Sequence, residues 1–175
     1  MIVRRANRKK RMDWCRSRLY WTINWQWKHI IFSDEMMMIL KPDGQVKVWM
    51  RVGEKMQPEC LGYIPHCRGQ TLKIMVWGCM TYHGMGTLAF IDGHMNSVKY
   101  IDTLENFLWP AVAKHFGENR WIFQEDNAPT HKSRLCADWK RDNDIPTLHW
   151  PAQSPDLSPI ENIWQLLKTS VKRNF

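Results

Sequence analysis

HIIFSDE, residues 29–35, and WIFQEDN, residues 121–127, follow one plan: a short apolar run that steps directly into acids. Neither run alternates between apolar and polar residues, so each reads as a strand buried on both faces. A carboxylate at the end of such a strand is costly to desolvate unless it is paired or bound to a cation. If the two strands lie together in the middle of one sheet, Asp34 and Asp126 come side by side and repel each other. A divalent cation with a preference for hard oxygen ligands removes that repulsion. Asp34 and Glu35 must point to opposite faces of their strand. Asp34 is therefore the candidate ligand, and Glu35 is the lesser one, expected as a solvated or surface group. Asp126 precedes Asn127-Ala128-Pro129 and has a second role open to it, as the start of a turn.

A third acid is delivered differently. WPAQSPDLSPIENIW, residues 150–164, places prolines at 151, 155 and 159 ahead of an amphipathic stretch. Each proline lacks a donor N–H and fixes φ, so the segment is a stiff loop that brings the chain to a helix start at a set position. Ser158-Pro159-Ile160-Glu161 satisfies the pattern of a capping box, which gives Glu161 a purely structural reading. Alternatively, Glu161 joins Asp34 and Asp126 in a carboxylate cluster for Mg²⁺ or Mn²⁺. Two such ions about 3.5–4 Å apart activate the attacking oxygen and stabilise the leaving one in phosphodiester cleavage.

The remaining segments alternate. Residues 12–28 predict a first helix carrying Trp14, Leu19, Trp21 and Trp25. MMMIL, KPDG (41–44) and QVKVWM read as strand, turn and strand, and residues 53–70 as a long loop. LKIMVWGCM (72–80) is a buried strand with which TLAFIDG (87–93) pairs back. A helix from Ser97 is kinked or divided by Pro110. HKSRLCADWKRDND (131–144) is helical, TLHW (147–150) a strand, and 159–173 the last helix. Strands interrupted by helices on a mixed sheet define an α/β class.

At 175 residues and 44% hydrophobic, the chain has enough length for one sizeable core. It has no stretch of about 18 apolar residues for a membrane-spanning helix, and no membrane partner is expected. Five cysteines without a CxxC pair argue against a disulfide framework and for a reducing compartment. The charge is uneven. Residues 1–28 hold nine Lys or Arg against the single Asp13, whereas the remainder is balanced, so the whole net charge of +8 sits at the N-terminal end. Its densest part, RRANRKKR (4–11), favours a polyanion, with a solvated linker or nuclear import signal as the compatible alternative.

FSDE (32–35), VWGCM (76–80), GHMNSVKY (93–100), QEDNAPTH (124–131) and WPAQSPDLSPIENIW together resemble the catalytic domain of Tc/mariner-type transposases. These belong to the Asp-Asp-Glu recombinases with a ribonuclease-H-like fold. The resemblance runs from about Arg11 to Lys172, and the 34 positions between Asp126 and Glu161 match the Tc-type interval. It implies a mixed sheet flanked by helices, with Asp34, Asp126 and Glu161 as catalytic residues and ligands of two Mg²⁺ or Mn²⁺ ions. The implied chemistry is cut-and-paste: hydrolysis at a transposon end, then attack of the freed 3′-hydroxyl on target DNA. The implied partners are transposon-end and target DNA, with a homodimer as an allowed assembly and the nucleus as the compartment. His131 is implied to lie near the metal site as a hydrogen-bonding residue. Arg4, Arg5, Arg8, Lys9, Lys10 and Arg11 are the candidate DNA contacts, with Arg51 in the stretch where relatives carry a basic loop.

By the same resemblance, residues 1–28 correspond to a basic linker and first helix, and 29–175 to a catalytic domain shortened at its C-terminal end. Two functions follow: a metal-dependent DNA endonuclease and strand-transfer domain, or a catalytically silent remnant acting as a nucleic-acid or protein interaction module. A ribonuclease-H-type enzyme acting on RNA–DNA hybrids shares the fold but not QEDNAPTH or SPDLSPIENIW.

Overall fold

A computed structural model of the chain describes residues 3–40 and 72–174. The KPDG turn, QVKVWM, the loop 53–70 and Arg51 lie outside the described residues. Four strands form one mixed sheet in the order β3-β2-β1-β4. β1 (Ile30–Leu40) pairs antiparallel with β2 (Leu72–Thr81), β2 pairs antiparallel with β3 (Gly84–Ile91), and β1 pairs parallel with the short β4 (Ile122–Gln124). IIFSDE and MMMIL are thus one continuous strand. The apolar run after the acids prolongs the edge along which β2 pairs.

Strand alternation divides the core in two. Ile31 of β1, Trp77 and Cys79 of β2 and Ala89 of β3 face a helical layer through Tyr100, Leu104, Leu108, Val112 and Cys136. That layer consists of α2 (Ser97–Thr103), a wide π-helical turn (Leu104–Leu108), α3 (Trp109–His115) and α4 (Arg134–Asp142). Pro110 does divide the helix, as expected. The wide turn just before it relieves the backbone where the ring would otherwise crowd the preceding carbonyl. Side-chain caps open two of these helices: Asn96 accepts from the Lys99 N–H at 2.9 Å and Ser133 from the Cys136 N–H at 3.3 Å.

On the opposite face, Ile30, Phe32, Met36 and Val76 pack against Trp14, Leu148, Trp150, Ile160 and Trp164. Ile160 and Trp164 belong to the final helix, α5 (Ile160–Asn174). Trp14 comes from α1 (Arg5–Arg16). This corrects the expected first helix at 12–28. The basic run 4–11 is itself helical, whereas 17–29 is a series of turns ending in one short 3₁₀ turn. Arg and Lys are good helix formers; in 17–29, Trp21 and Trp27 pack edge-on against each other, whereas Leu19 and Trp25, expected to be buried, are 71% and 77% exposed. TLHW is likewise not a full strand. Thr147 makes a single parallel bridge to Phe123, through Phe123 N–H to Pro146 O (2.7 Å) and Leu148 N–H to Phe123 O (2.7 Å).

The contact that seats α5 is unusually close. The Trp164 indole lies over Gly78, where an added Cβ would stand 2.6 Å from its Cη2. Gly78 is also the residue directly across from Asp34 on β1. A side chain here must displace the indole or the helix that carries it. Gly78→Ala is therefore expected to lower the stability by about 1–3 kcal/mol, measured as a fall in the urea midpoint at constant m-value. An unchanged midpoint would mean that α5 is not seated by this contact.

Candidate active site

Parallel pairing brings the two acid-tipped strands into step. Phe32 is level with Gln124, and Ser33 Oγ donates to Gln124 O at 2.9 Å. Asp34 and Asp126 each lie two residues past that last paired level, so strand parity sends both toward the α5 side. Asp126 accepts the Ala128 N–H on Oδ1 at 2.8 Å. It opens a turn, as one of its two readings had it, and its carboxylate still lines the cleft. Asn127 Nδ2 donates to Trp150 O at 2.9 Å, joining this turn to the start of the proline-rich segment.

Asp34, Asp126 and Glu161 line one cleft of about 350 Å³, together with Gln124, Trp150, Gln153, Pro155 and Ser158. Glu161 is the second residue of α5 and points into solvent at the cleft mouth. The capping box does not form: the Ser158 hydroxyl is buried without a partner, and the Glu161 side chain is exposed at the cleft.

The carboxylates are held in different electrostatic states. Burial, and then the negative charges of Glu35 and Glu161, push the Asp34 carboxyl up to about 7, although Trp164 Nε1–H donates to its Oδ2 at 3.0 Å. Burial would also raise Asp126. The contact with His131, the Ala128 N–H and the charges of His131 and Lys132 outweigh it and hold Asp126 below its ordinary value. His131 is buried, which alone would lower its pKa. Its Nδ1 lies 2.8 Å from Asp126 Oδ1 and its Nε2 3.1 Å from Glu35 Oε1, and these partners push it up to about 10. A charged imidazolium thus stands between two carboxylates. Glu35 is accordingly not the solvated group expected, since its side chain is only 19% exposed and is paired with His131.

Behind this layer is a buried polar group that the sequence reading did not identify. Glu125 accepts from Tyr100 OH at 2.6 Å and is ion-paired with Lys140, whose Nζ also donates to His131 O at 3.1 Å. The Tyr100 ring stacks on His131 at 4.0 Å between centroids. Burial, followed by the charges of Glu125 and Glu35, holds the Tyr100 hydroxyl well above its ordinary pKa, so it stays a donor. The signal was present: parity puts Glu125 with Phe123 on the helix-facing side, and Lys140 follows buried Cys136 by one helical turn.

The donor set suits a hard divalent cation: three carboxylates, plus Gln124 Oε1, which is buried without a partner in the same wall. Among the described residues no three Asp, Glu, His or Cys side chains close around a single point. The carboxylates share the cleft without converging. Of the basic candidates, Arg4, Arg5, Arg8, Lys9 and Lys10 are exposed on or beside α1, whereas Arg11 turns inward to Asp156.

Residues 29–175 match the family model of the DDE superfamily endonucleases. The chain is 36% identical to the Tcb1 transposase of Caenorhabditis briggsae, over 98% of its own length and 62% of that protein's. It is 32% identical to the Tc1 transposase of Caenorhabditis elegans, over 95% and 60% respectively. It therefore belongs to the DDE superfamily endonucleases, and it spans about three-fifths of these curated relatives. Its fold matches the Mos1 mariner transposase catalytic domain with a TM-score of 0.71 at 19% identity, covering 98% of this chain and 74% of that one. A Mos1 paired-end complex with the left transposon end gives 0.73 at 22%, covering 98% and 50%. The expected ribonuclease-H-like architecture is the one observed.

The titrations make a prediction about stability. Asp34 binds a proton on folding between its ordinary value of 3.8 and about 7. The folded state holds more protons there, so stability falls as pH rises across that window. Asp34→Asn should remove that fall in urea titrations of the metal-free protein. His131 acts with the opposite charge: its contribution is complete below 6.5 and is lost as pH rises through about 10. Parallel pH profiles for wild type and Asp34→Asn would show that Asp34 is not perturbed.

Proposed function

We propose that this chain is the catalytic domain of a cut-and-paste DNA transposase that depends on divalent metal. The observation that carries this reading is the delivery of Asp34, Asp126 and Glu161 into one cleft from β1, the end of β4 and the start of α5. The similar Mos1 catalytic domain has been solved with Mn and with Mg, and Mos1 also in a strand transfer complex. By analogy, the substrates are transposon ends and target DNA, the ions Mg²⁺ or Mn²⁺ in a pair, and the compartment the nucleus. A homodimer would bring two ends together.

Asp34, Asp126 and Glu161 would hold the ions, with Gln124 Oε1 as an adjacent oxygen donor. When bound, a divalent ion lowers the pKa of water and neutralises charge on the leaving oxygen. Asp34 would give up its proton on engagement, which makes affinity rise with pH up to about 7. His131 keeps Asp126 ionised. Glu35, on the other side of His131, restrains the imidazolium from swinging into the cleft. The exposed Arg4, Arg5, Arg8, Lys9 and Lys10 supply phosphate contacts beside the cleft; such contacts are salt-sensitive and sequence-tolerant.

Calorimetric titration with Mn²⁺, on wild type and Asp126→Ala, tests the site directly. Binding in wild type and its loss in the variant is the expected pair, with nicking of supercoiled DNA falling about a hundredfold or more. If neither folded protein takes up Mn²⁺, the chain is a silent remnant, and its basic helix is the only function left to it.

A further inference from the structure

The proline-rich loop that leads to Glu161 does not hold itself. Gln153 has a φ of 56°, a left-handed conformation that a residue with a Cβ adopts only at a cost. Its two oxygens, side-chain and backbone, are gripped by α1 and the residue before it. Asn7 Nδ2 donates to Gln153 Oε1 at 2.7 Å, and the Arg4 N–H to the same oxygen at 3.2 Å. Arg11 Nη1 donates to the Gln153 carbonyl at 2.7 Å. The same guanidinium forks onto Asp156, with Nη1 to Oδ1 at 2.7 Å and Nη2 to Oδ2 at 2.5 Å. One turn further along α1, Trp14 Nε1–H donates to His149 O at 2.6 Å, and its ring meets Trp150 edge-on at 4.9 Å. One helix therefore ties down both ends of the segment 149–156. Gln153, Pro155, Ser158 and Glu161 of that segment and its continuation line the cleft, whereas Arg11 does not.

We propose that Arg11 is a positioning residue for Glu161: through Gln153 and Asp156 it fixes the bend that sets where α5 starts. The ordering is physical. Proline at 155 and 159 narrows the local φ choices but makes no bond to the rest of the molecule, so the loop's placement needs an outside hold. A bidentate Arg–carboxylate pair supplies direction as well as attraction. Arg11 thus leaves the set of DNA contacts to which its place in RRANRKKR would assign it. Its side chain is 17% exposed and both terminal nitrogens donate within the chain. The inference rests on the cleft being a divalent-metal site, and its test is chosen to separate the two.

Mn²⁺ affinity is measured by calorimetry for Arg11→Ala, with thermal melting of the same sample. Met12→Ala, an exposed neighbour on α1, is the control. Arg11→Ala should weaken Mn²⁺ binding about tenfold, within the range for residues that orient a ligand without touching the metal; Met12→Ala should bind as wild type. The decisive readout is a double-mutant cycle. If Arg11 acts through Glu161, then Arg11→Ala made in a Glu161→Gln background adds no further loss. Additive losses, or wild-type affinity in Arg11→Ala, overturn the proposal. Should Arg11→Ala fail to fold, Asp156→Ala on the loop side carries the same cycle, and wild-type affinity there is equally fatal. A wild-type chain that takes up no Mn²⁺ overturns this reading and the metal site together. Wild-type binding that Asp126→Ala abolishes and Arg11→Ala leaves intact overturns this one alone.

Discussion

Two parallel strands, β1 and β4, leave their pairing at the same level, and nearly everything at the cleft depends on that coincidence of register. With Phe32 level with Gln124, the acids two residues on fall together and on the same face. Had β4 slipped by one residue, Asp126 would face α4 and Glu125 the cleft, since a one-residue slip exchanges the faces of every side chain. The register is fixed by what each face buries. Phe123 must stay with Tyr100, Leu104 and Cys136, and Ser33 Oγ must reach the Gln124 carbonyl. Packing thus decides which acid meets Asp34.

The cost of gathering acids in this way is met unevenly. On the helix side the negative charge of Glu125 is compensated outright by Lys140 and Tyr100. Such a buried pair is weak evidence for net stability, but breaking it leaves an uncompensated charge inside the protein. At the junction, His131 compensates Asp126 and Glu35 together. On the α5 side Asp34 has only neutral donors, the Trp164 indole and the Glu35 backbone N–H, against burial and two acids. The repulsion that no partner relieves therefore shows at one carboxylate in the cleft, as its raised pKa. A site that is to attract a cation must leave some repulsion unrelieved until the cation arrives, and here it is left at Asp34.

How much of this could be read from residues alone follows from the range of each interaction. HIIFSDE and WIFQEDN disclosed two buried strands because local apolar runs and their terminal acids are contiguous in sequence. Pro110 disclosed a helix break for the same reason, as its effect is confined to its own turn. The start of α1 was misplaced because tryptophan at 14, 21 and 25 suggested a buried helix face, when in the fold Trp14 alone belongs to a helix and Trp21 and Trp27 stack edge-on in the turns that follow. Glu35 looks solvated in the sequence because its partner, His131, is 96 residues away. Lys140 is hard to find for a related reason: a charged residue on a helix is ordinarily solvated, and only its spacing from Cys136 places it inward.

The proline-rich segment shows where local rigidity stops being sufficient. Prolines at 151, 155 and 159 reduce the conformations open to the unfolded loop, and so lower the entropy lost on ordering it. That effect favours some extended loop without selecting where it sits. Placement comes from Trp150 packed between Trp14 and Phe32, from Asn127 on the Trp150 carbonyl, and from Arg11 on Gln153 and Asp156. Each of these partners lies far away in sequence, and three of them belong to α1 or to the turn after Asp126. The loop is thus bonded at one end to the element that carries the second acid and at the other to a basic helix whose outer surface is exposed. That same helix makes the hydrogen bonds that hold the approach to Glu161. By linkage, any preference of the helix for bound polyanion in its docked position must appear as an equal preference of the docked loop for polyanion.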